Sequence, residues 1–337
     1  MSPHSTRRTT MRALVLDRPG APETLRLSDL PVPEPGPGQA RVKVEACGLN
    51  PVDYQVAAEG HPDWTWPHVL GLDVAGTVDA VGEGVTGVHP GQRVVFHGDL
   101  RRPGGFAVYA LADTTTLATV PDTIEWAVAA GLPCAGMTAY QAVVRRLVVT
   151  AGDTVLVTGG AGGVGGFAVQ LAARAGARVI TTASARNADR VRELGADEVV
   201  DYRTEDVAAR IRDLTDGRGV DGVVDTVSPE SATANLSLLV HGGGLASVAG
   251  RPDLTVVAPF TIAPSVHEIA LGAAHSHGDE RPRADLSAML GELLTLVADG
   301  HLDPMLSRTL PLSEVPSALG QLSERHVRGK LVYTASG

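Results

Sequence analysis

Between Thr154 and Ala172 the chain reads TVLVTGGAGGVGGFAVQLA, and no other stretch restricts the fold as strongly. Val155, Leu156 and Val157 make the short apolar run of a buried strand, while Val164, Phe167, Ala168 and Leu171 recur at helical spacing. Between them Gly160, Gly162 and Gly165 stand in G-x-G-x-x-G order. Absent side chains there allow a tight turn, an approach of backbone to a pyrophosphate, and close seating of the helix on the sheet. Phosphate then faces the unpaired amides and the positive dipole end of the helix. A glycine cluster alone is only a turn. Set between a strand and an amphipathic helix it reads as a dinucleotide site, with Gly160, Gly162, Gly163, Val164 and Gly165 as the cofactor-binding residues.

The remaining composition narrows the partners. A chain of 337 residues suits two domains, each with its own core. A net charge of -10 argues against nucleic acid and anionic membrane, and 4% aromatics against base-stacking platforms. Cys47 and Cys134 form no closely spaced pair, so neither a four-cysteine zinc lobe nor a disulfide framework is expected. The opening MSPHSTRRTT lacks an apolar h-region and is read as a disordered extension, residues 1–10; no apolar run is long enough to span a bilayer. A cytoplasmic location follows as the default.

Two textures divide the rest. Met11 to Ala46 reads strand, proline-rich connection, strand, and residues 71–95 read as a compact antiparallel β unit with glycine turns. EWAVAAGLPCAGMTAYQAVVRR then predicts two helices meeting at a bend near Gly131 and Pro133. From Val155 to Ala249 strands and helices alternate, the pattern of a doubly wound parallel sheet. Beyond Pro259 the pattern predicts a strand in HEIALGAA, a helix over 285–298 and a last strand, KLVYT.

AGGVG at 161–165, PCAGMTAYQA at 133–142, GLNPVDY at 48–54, GLDVAGTVDAVGEGV at 71–85 and the closing GKLVY, in this order, resemble the medium-chain dehydrogenase/reductase superfamily, closest to its zinc-less, quinone-oxidoreductase-like (zeta-crystallin-like) branch. The resemblance implies an α/β fold: a GroES-like β-rich catalytic domain over 11–133, a Rossmann domain binding NADP over 134–262, and a return to the catalytic domain over 263–337. It also implies a homodimer joined through the dinucleotide domain, with Thr255–Ala258 as an edge strand there. Where zinc relatives place cysteine, histidine and cysteine ligands, this chain has Asn50, Leu72 and Cys134, so no metal site is expected. His275-x-His277 and His68 are read as loop or structural histidines.

After the second strand of the dinucleotide fold stands Ser184-Ala185-Arg186, with no acid before Asp189. A hydroxyl and a guanidinium suit a 2′-phosphate, which points to NADPH. Resemblance adds Tyr202 to that phosphate, Thr138, Thr226 and Val248 along the cofactor, and Leu271, Gly272 and Lys330 closing over it from the tail. Without a metal Lewis acid, conjugated acceptors are the expected substrates, because a quinone or enone delocalises the charge that the hydride brings. Asn50 and Tyr54 are the catalytic candidates for orienting the acceptor. Gln55 stands where some relatives carry a tyrosine or lysine, which leaves the proton donor unassigned, and His61, Trp64 and Trp66 are set as walls. A pathway-specific enoyl reductase and an NADPH-binding sensor or structural protein with little turnover stay open as alternatives.

Overall fold

The computed structural model describes residues 9–276, 279–325 and 327–335. Two compact units divide the chain: Met1–Cys134 with Gly272–Gly337, and Ala135–Leu271. Of the expected N-terminal extension, residues 1–8 lie outside the described residues, and the first strand already starts at Thr10.

The first unit opens with β1 (Thr10–Leu16), β2 (Arg26–Pro31), β3 (Gln39–Gly48), α1 (Pro51–Glu59), β4 (His68–Val69), β5 (Asp73–Val81), β6 (Arg93–His97), β7 (Tyr109–Asp113), β8 (Ala118–Thr119) and α2 (Trp126–Gly131). Helix α3 (Pro133–Tyr140) follows at once, as the proline signal predicts. Helix α1 has its own local cause: Pro51 sits at the first helical position, and the Asp53 carboxylate accepts the Asn50 backbone N–H at 2.8 Å.

The second unit alternates without a break: β9 (Thr154–Val157), α4 (Gly163–Arg174), β10 (Arg178–Thr182), α5 (Ala188–Glu193), β11 (Glu198–Val200), α6 (Val207–Leu214), β12 (Val220–Asp225), α7 (Pro229–Asn235), β13 (Leu239–Ser247) and β14 (Ser265–Glu268). All pairings are parallel, in the order β11-β10-β9-β12-β13-β14. Leu156, Ile180, Val223 and Leu245 are completely buried, each contributing roughly 1.5–3 kcal/mol over an exposed position. The order reverses at β9, which puts the glycine turn at the switch point where such sheets bind ligands.

The expected return at residue 263 is corrected by this sheet. Ser265–Glu268 pairs with β13, Gly244 opposite Ser265 and Ser247 opposite Glu268, so it is the sixth strand of the dinucleotide sheet and the return starts at Gly272. HEIALGAA is likewise not one strand: it leaves the sheet after Glu268 and turns into a short 3-10 segment, Leu271–His275. Thr255–Ala258, expected as an edge strand, begins instead within a 3-10 turn, Leu254–Val256, and β14 ends the sheet.

The return supplies α8 (Glu280–Ala298), β15 (Leu306–Leu310), α9 (Val315–Ser323) and β16 (Lys330–Thr334). The main sheet of the first unit runs β15-β16-β3-β5-β6-β8, with β7 also paired to β3. Val332 stands opposite Gly48 and Tyr333 opposite Cys47, and Leu49 N–H donates to Leu331 O at 2.9 Å. That register brings Lys330 to Asn50.

Candidate active site

In the second unit the turn after β9 is shaped by contacts that leave no room for side chains. A Cβ on Gly160 would lie 2.1 Å from Thr181 Oγ1, and one on Gly165 2.2 Å from the Gly159 carbonyl oxygen. Gly162 differs: a Cβ there meets only the Gly159 oxygen, at 3.3 Å, and its φ of -77° suits any residue. Its own packing opposes a side chain far less than that of Gly160 or Gly165, although the Gly159 carbonyl would have to give by a few tenths of an ångström. Gly162 is the N-cap of α4 and no side chain caps that helix, so amides in its first turn, including those of Gly163, Val164 and Gly165, remain for an anion. The cradle fits a dinucleotide pyrophosphate. Gly162→Ala is expected to shift the thermal midpoint by no more than about 4 °C while weakening nicotinamide dinucleotide binding at least about tenfold, because it intrudes on the pyrophosphate cradle more than on the fold; differential scanning fluorimetry and titration calorimetry on the same sample check both halves.

Ser184 follows β10 and is 5% exposed; Arg186 is exposed on the short turn Ala185–Asn187, and Tyr202 is 52% exposed after β11. Ala185 N–H donates to Asp201 Oδ2 at 3.2 Å, which ties these two turns at one end of the sheet. Asp201 spends its other oxygen on Arg203 N–H, at 3.0 Å. The neighbouring Asn187 Oδ1 is buried without a hydrogen-bond partner, an acceptor of the kind a ribose hydroxyl satisfies, and nothing in the sequence flagged it. Thr226 lies beside the glycine turn, its hydroxyl donating to Thr158 O at 2.7 Å; Val248 is half-buried after β13, Thr138 is buried on α3, and Leu271 closes the unit.

The first unit contains a second constellation, almost wholly buried. Asp73 at the start of β5 is completely enclosed; Asn50, Lys330 and His97 are 1%, 3% and 4% exposed. Asn50 Nδ2 donates to Asp73 Oδ2 at 2.8 Å, His97 Nδ1 lies 2.8 Å from Asp73 Oδ1, and Cys134 N–H reaches both oxygens at 3.0 Å. Lys330 Nζ donates to Asn50 Oδ1 and to Leu49 O and stands 3.7 Å from Asp73. Burial alone would raise the Asp73 pKa, but His97, Lys330 and Asn50 together hold it below the ordinary carboxylate value. Asp53 is pushed up to about 7, because burial, with the neighbouring Asp73 charge, outweighs the Asn50 N–H and the Lys330 field. The expected cofactor contact of Lys330 is corrected in one respect: its ammonium turns into this centre, because Asn50 and Asp73 offer acceptors there. Asn50 keeps one amide hydrogen beyond the one given to Asp73, and Tyr54 is half-buried on α1. Gly272 begins the return.

Asp73, His97 and Cys134 bring three ligand-type atoms within 4.8 Å of one another. The set does not fit a zinc ion. Both Asp73 oxygens are already spent, an ammonium stands 3.7 Å away where a dication would have to share its field, and burial pushes the Cys134 thiol up, away from the thiolate that zinc needs. Asn50 and Leu72 supply no replacement. His277 of the H-x-H lies outside the described residues, and His275 Nε2 is buried without a partner.

Trp64 and Trp66 do pack together, edge to face at 5.7 Å, and Trp64 stacks on His68 at 4.0 Å. His68 is 2% exposed with Nδ1 unpartnered, and burial lowers its pKa from 6.5 to about 4. Between those values the unfolded chain binds the proton and the folded chain does not, so stability is lost as the pH drops from about 6.5 toward 4, by up to about 3 kcal/mol from this group. His68→Phe, which keeps the stack, is expected to flatten that slope in urea melts at about pH 7 and about pH 4.5.

A parallel dinucleotide sheet carrying this turn, together with a separate β unit holding a closed polar centre, defines a two-domain nicotinamide-dependent oxidoreductase. Residues 36–122 match the family described as "Alcohol dehydrogenase GroES-like domain" and residues 194–332 the one described as "Zinc-binding dehydrogenase". The chain is 31% identical over 311 residues to the human quinone oxidoreductase, covering 91% of this chain and 92% of that protein. The quinone oxidoreductase structure from Coxiella burnetii superposes with a TM-score of 0.83 at 32% identity, covering 97% and 99% of the two chains. A segment of the polyketide synthase GfsB of Streptomyces halstedii is 36% identical over 337 residues; that match covers 97% of this chain but spans about 6% of the synthase. The chain belongs to the medium-chain dehydrogenase/reductase superfamily, in its quinone-oxidoreductase-like branch. Among the described residues no helix is long and apolar enough to cross a membrane.

Proposed function

We propose that this protein is an NADPH-dependent, zinc-independent reductase of conjugated carbonyl acceptors, quinones or α,β-unsaturated carbonyl compounds. The observation that carries this reading is the Lys330 ammonium set 3.7 Å from Asp73 and bonded to Asn50, a fixed positive charge in the centre where a metal would otherwise supply one. Bound NADPH supplies the hydride. The turn from Gly160 to Gly165 and the first amides of α4 hold its pyrophosphate, and Ser184, Arg186 and Tyr202 hold the 2′-phosphate. The free amide hydrogen of Asn50 and the Tyr54 phenol orient the acceptor oxygen. One or two such donors suffice when conjugation spreads the incoming charge.

Following NADPH absorbance with a panel of quinones and enones, alongside elemental analysis, tests the reading. Turnover of several acceptors by zinc-free protein supports it; a stoichiometric zinc required for turnover sinks it. The match to a polyketide synthase segment favours a second reading, in which the acceptor is the enoyl group of an acyl thioester. Activity confined to enoyl thioesters selects that one, and tight NADPH binding without turnover of any acceptor selects a sensor.

A homodimer through the dinucleotide unit is part of the same proposal. Leu254, Val256 and Phe260 are 50%, 59% and 106% exposed beside the edge strand β14, more apolar surface than a monomer retains without cause. Phe260→Asp is expected to shift the protein toward monomer in analytical ultracentrifugation.

A further inference from the structure

Beside the buried centre of the first unit lies a cavity of about 60 Å³, lined among others by Phe96, His97, Asp99, Arg101, His275 and Arg283. One water needs about 10–15 Å³ of such space, so several fit. The wall carries more hydrogen-bonding groups than its own contacts satisfy. His275 Nε2 is buried without a hydrogen-bond partner, Arg283 Nε has only an ion pair with Asp113 Oδ2 at 3.3 Å, and His97, whose Nδ1 is committed to Asp73, has no partner for Nε2 among the described residues. The charged groups facing this space are Asp99, held by Arg101 at 2.7 Å and by Arg102 at 3.9 Å, and Arg283, which stands 3.3 Å from Asp113. A polar cavity with unsatisfied nitrogens is a place for ordered water, and His97, in its wall, reaches Asp73 at 2.8 Å.

We propose that His97, seated on Asp73, is the entry point for the proton that balances each hydride. This rests on the reductase reading above. The acceptor gains two electrons with the hydride and then one proton from the Lys330 ammonium. Asp73, a carboxylate at rest, accepts the His97 Nδ1–H proton and passes one on to the Lys330 amine 3.7 Å away, so that it ends as the carboxylate again, while His97 Nε2 takes a proton from cavity water. The net uptake is one proton from solvent with no other redox change, and reorientation of the ring in the cavity restores the starting tautomer. His97 acts through Asp73 and Lys330, so it is a positioning residue for the proton and not a group that touches the acceptor.

The test uses the full chain with NADPH and an acceptor that the wild type reduces. His97→Ala is expected to lower kcat on the order of 10²-fold, leave the KM for NADPH within about twofold, and recover part of the loss as imidazole is added; His97→Gln is expected to show the same loss without rescue. A kcat for His97→Ala within about threefold of wild type overturns the proposal, and so does a loss that imidazole leaves untouched in protein of unchanged melting temperature. If the wild type reduces no acceptor, the reductase reading fails separately, and the relay is judged by NMR. Solvent exchange of the His97 Nδ1 proton is then expected to slow several-fold in His275→Leu, and an unchanged exchange rate overturns the relay.

Discussion

Lys330→Met is expected to cost the first unit about 3–5 kcal/mol of stability, the largest loss any single exchange in this centre should produce. The ammonium is 3% exposed and holds Leu49 O, Asn50 Oδ1 and the field of Asp73 at once. Methionine fills the volume but leaves the buried Asp73 carboxylate without its strongest cation and Asn50 Oδ1 without a donor. Asp73 then takes up a proton or draws in water, and either way the bond to His97 weakens. Denaturant unfolding of Lys330→Met, Asp73→Asn and the double variant separates the pair from its surroundings. If the two charges stabilise chiefly each other, the double variant loses clearly less than the sum of the singles. Additive losses would place the stability in the packing and remove the ammonium from the argument for zinc-independent chemistry.

The dinucleotide unit was legible because its physics is local. Parallel strands buried on both faces read as short apolar runs, so β9, β10 and β12 stand out, and the glycine turn marks the join to α4. Helix α1 escaped because its cause is a single capping pair, Asn50 and Asp53, in front of the weakly amphipathic PVDYQVAAE. Strand β15 and helix α9 escaped for a related reason, as Leu306–Leu310 has a partner only once β16 lies beside it. The sixth strand was assigned to the wrong unit since Ser265–Glu268 carries just one large apolar residue, Val266, and owes its place to pairing with β13. The buried centre was the least visible part. Asn50 and Lys330 were singled out, but 280 residues separate them, and their bond depends on the register of β16 on β3. His97 offered no signal, since a lone histidine at a strand end gains meaning only from the Asp73 carboxylate 2.8 Å away.

Arg186→Glu is expected to weaken NADPH binding on the order of 10²-fold while changing NADH binding little. A charge-assisted bond from a guanidinium to a phosphate contributes about 1.5–3 kcal/mol, and charge reversal adds repulsion to its loss. Arg186 is well placed for this: it is exposed on the turn after β10, one residue from the Ala185–Asp201 tie that holds the Tyr202 turn alongside. Salt supplies an independent check, as a contact of this exposed kind is screened within about 10 Å at 0.1 M ionic strength. The NADPH dissociation constant of the wild type should therefore rise with added salt more steeply than that of Arg186→Glu, and the NADH constants of both should move little. Equal salt slopes for the two cofactors in the wild type would mean that no 2′-phosphate contact is made at this turn, and the NADPH assignment would fail with it.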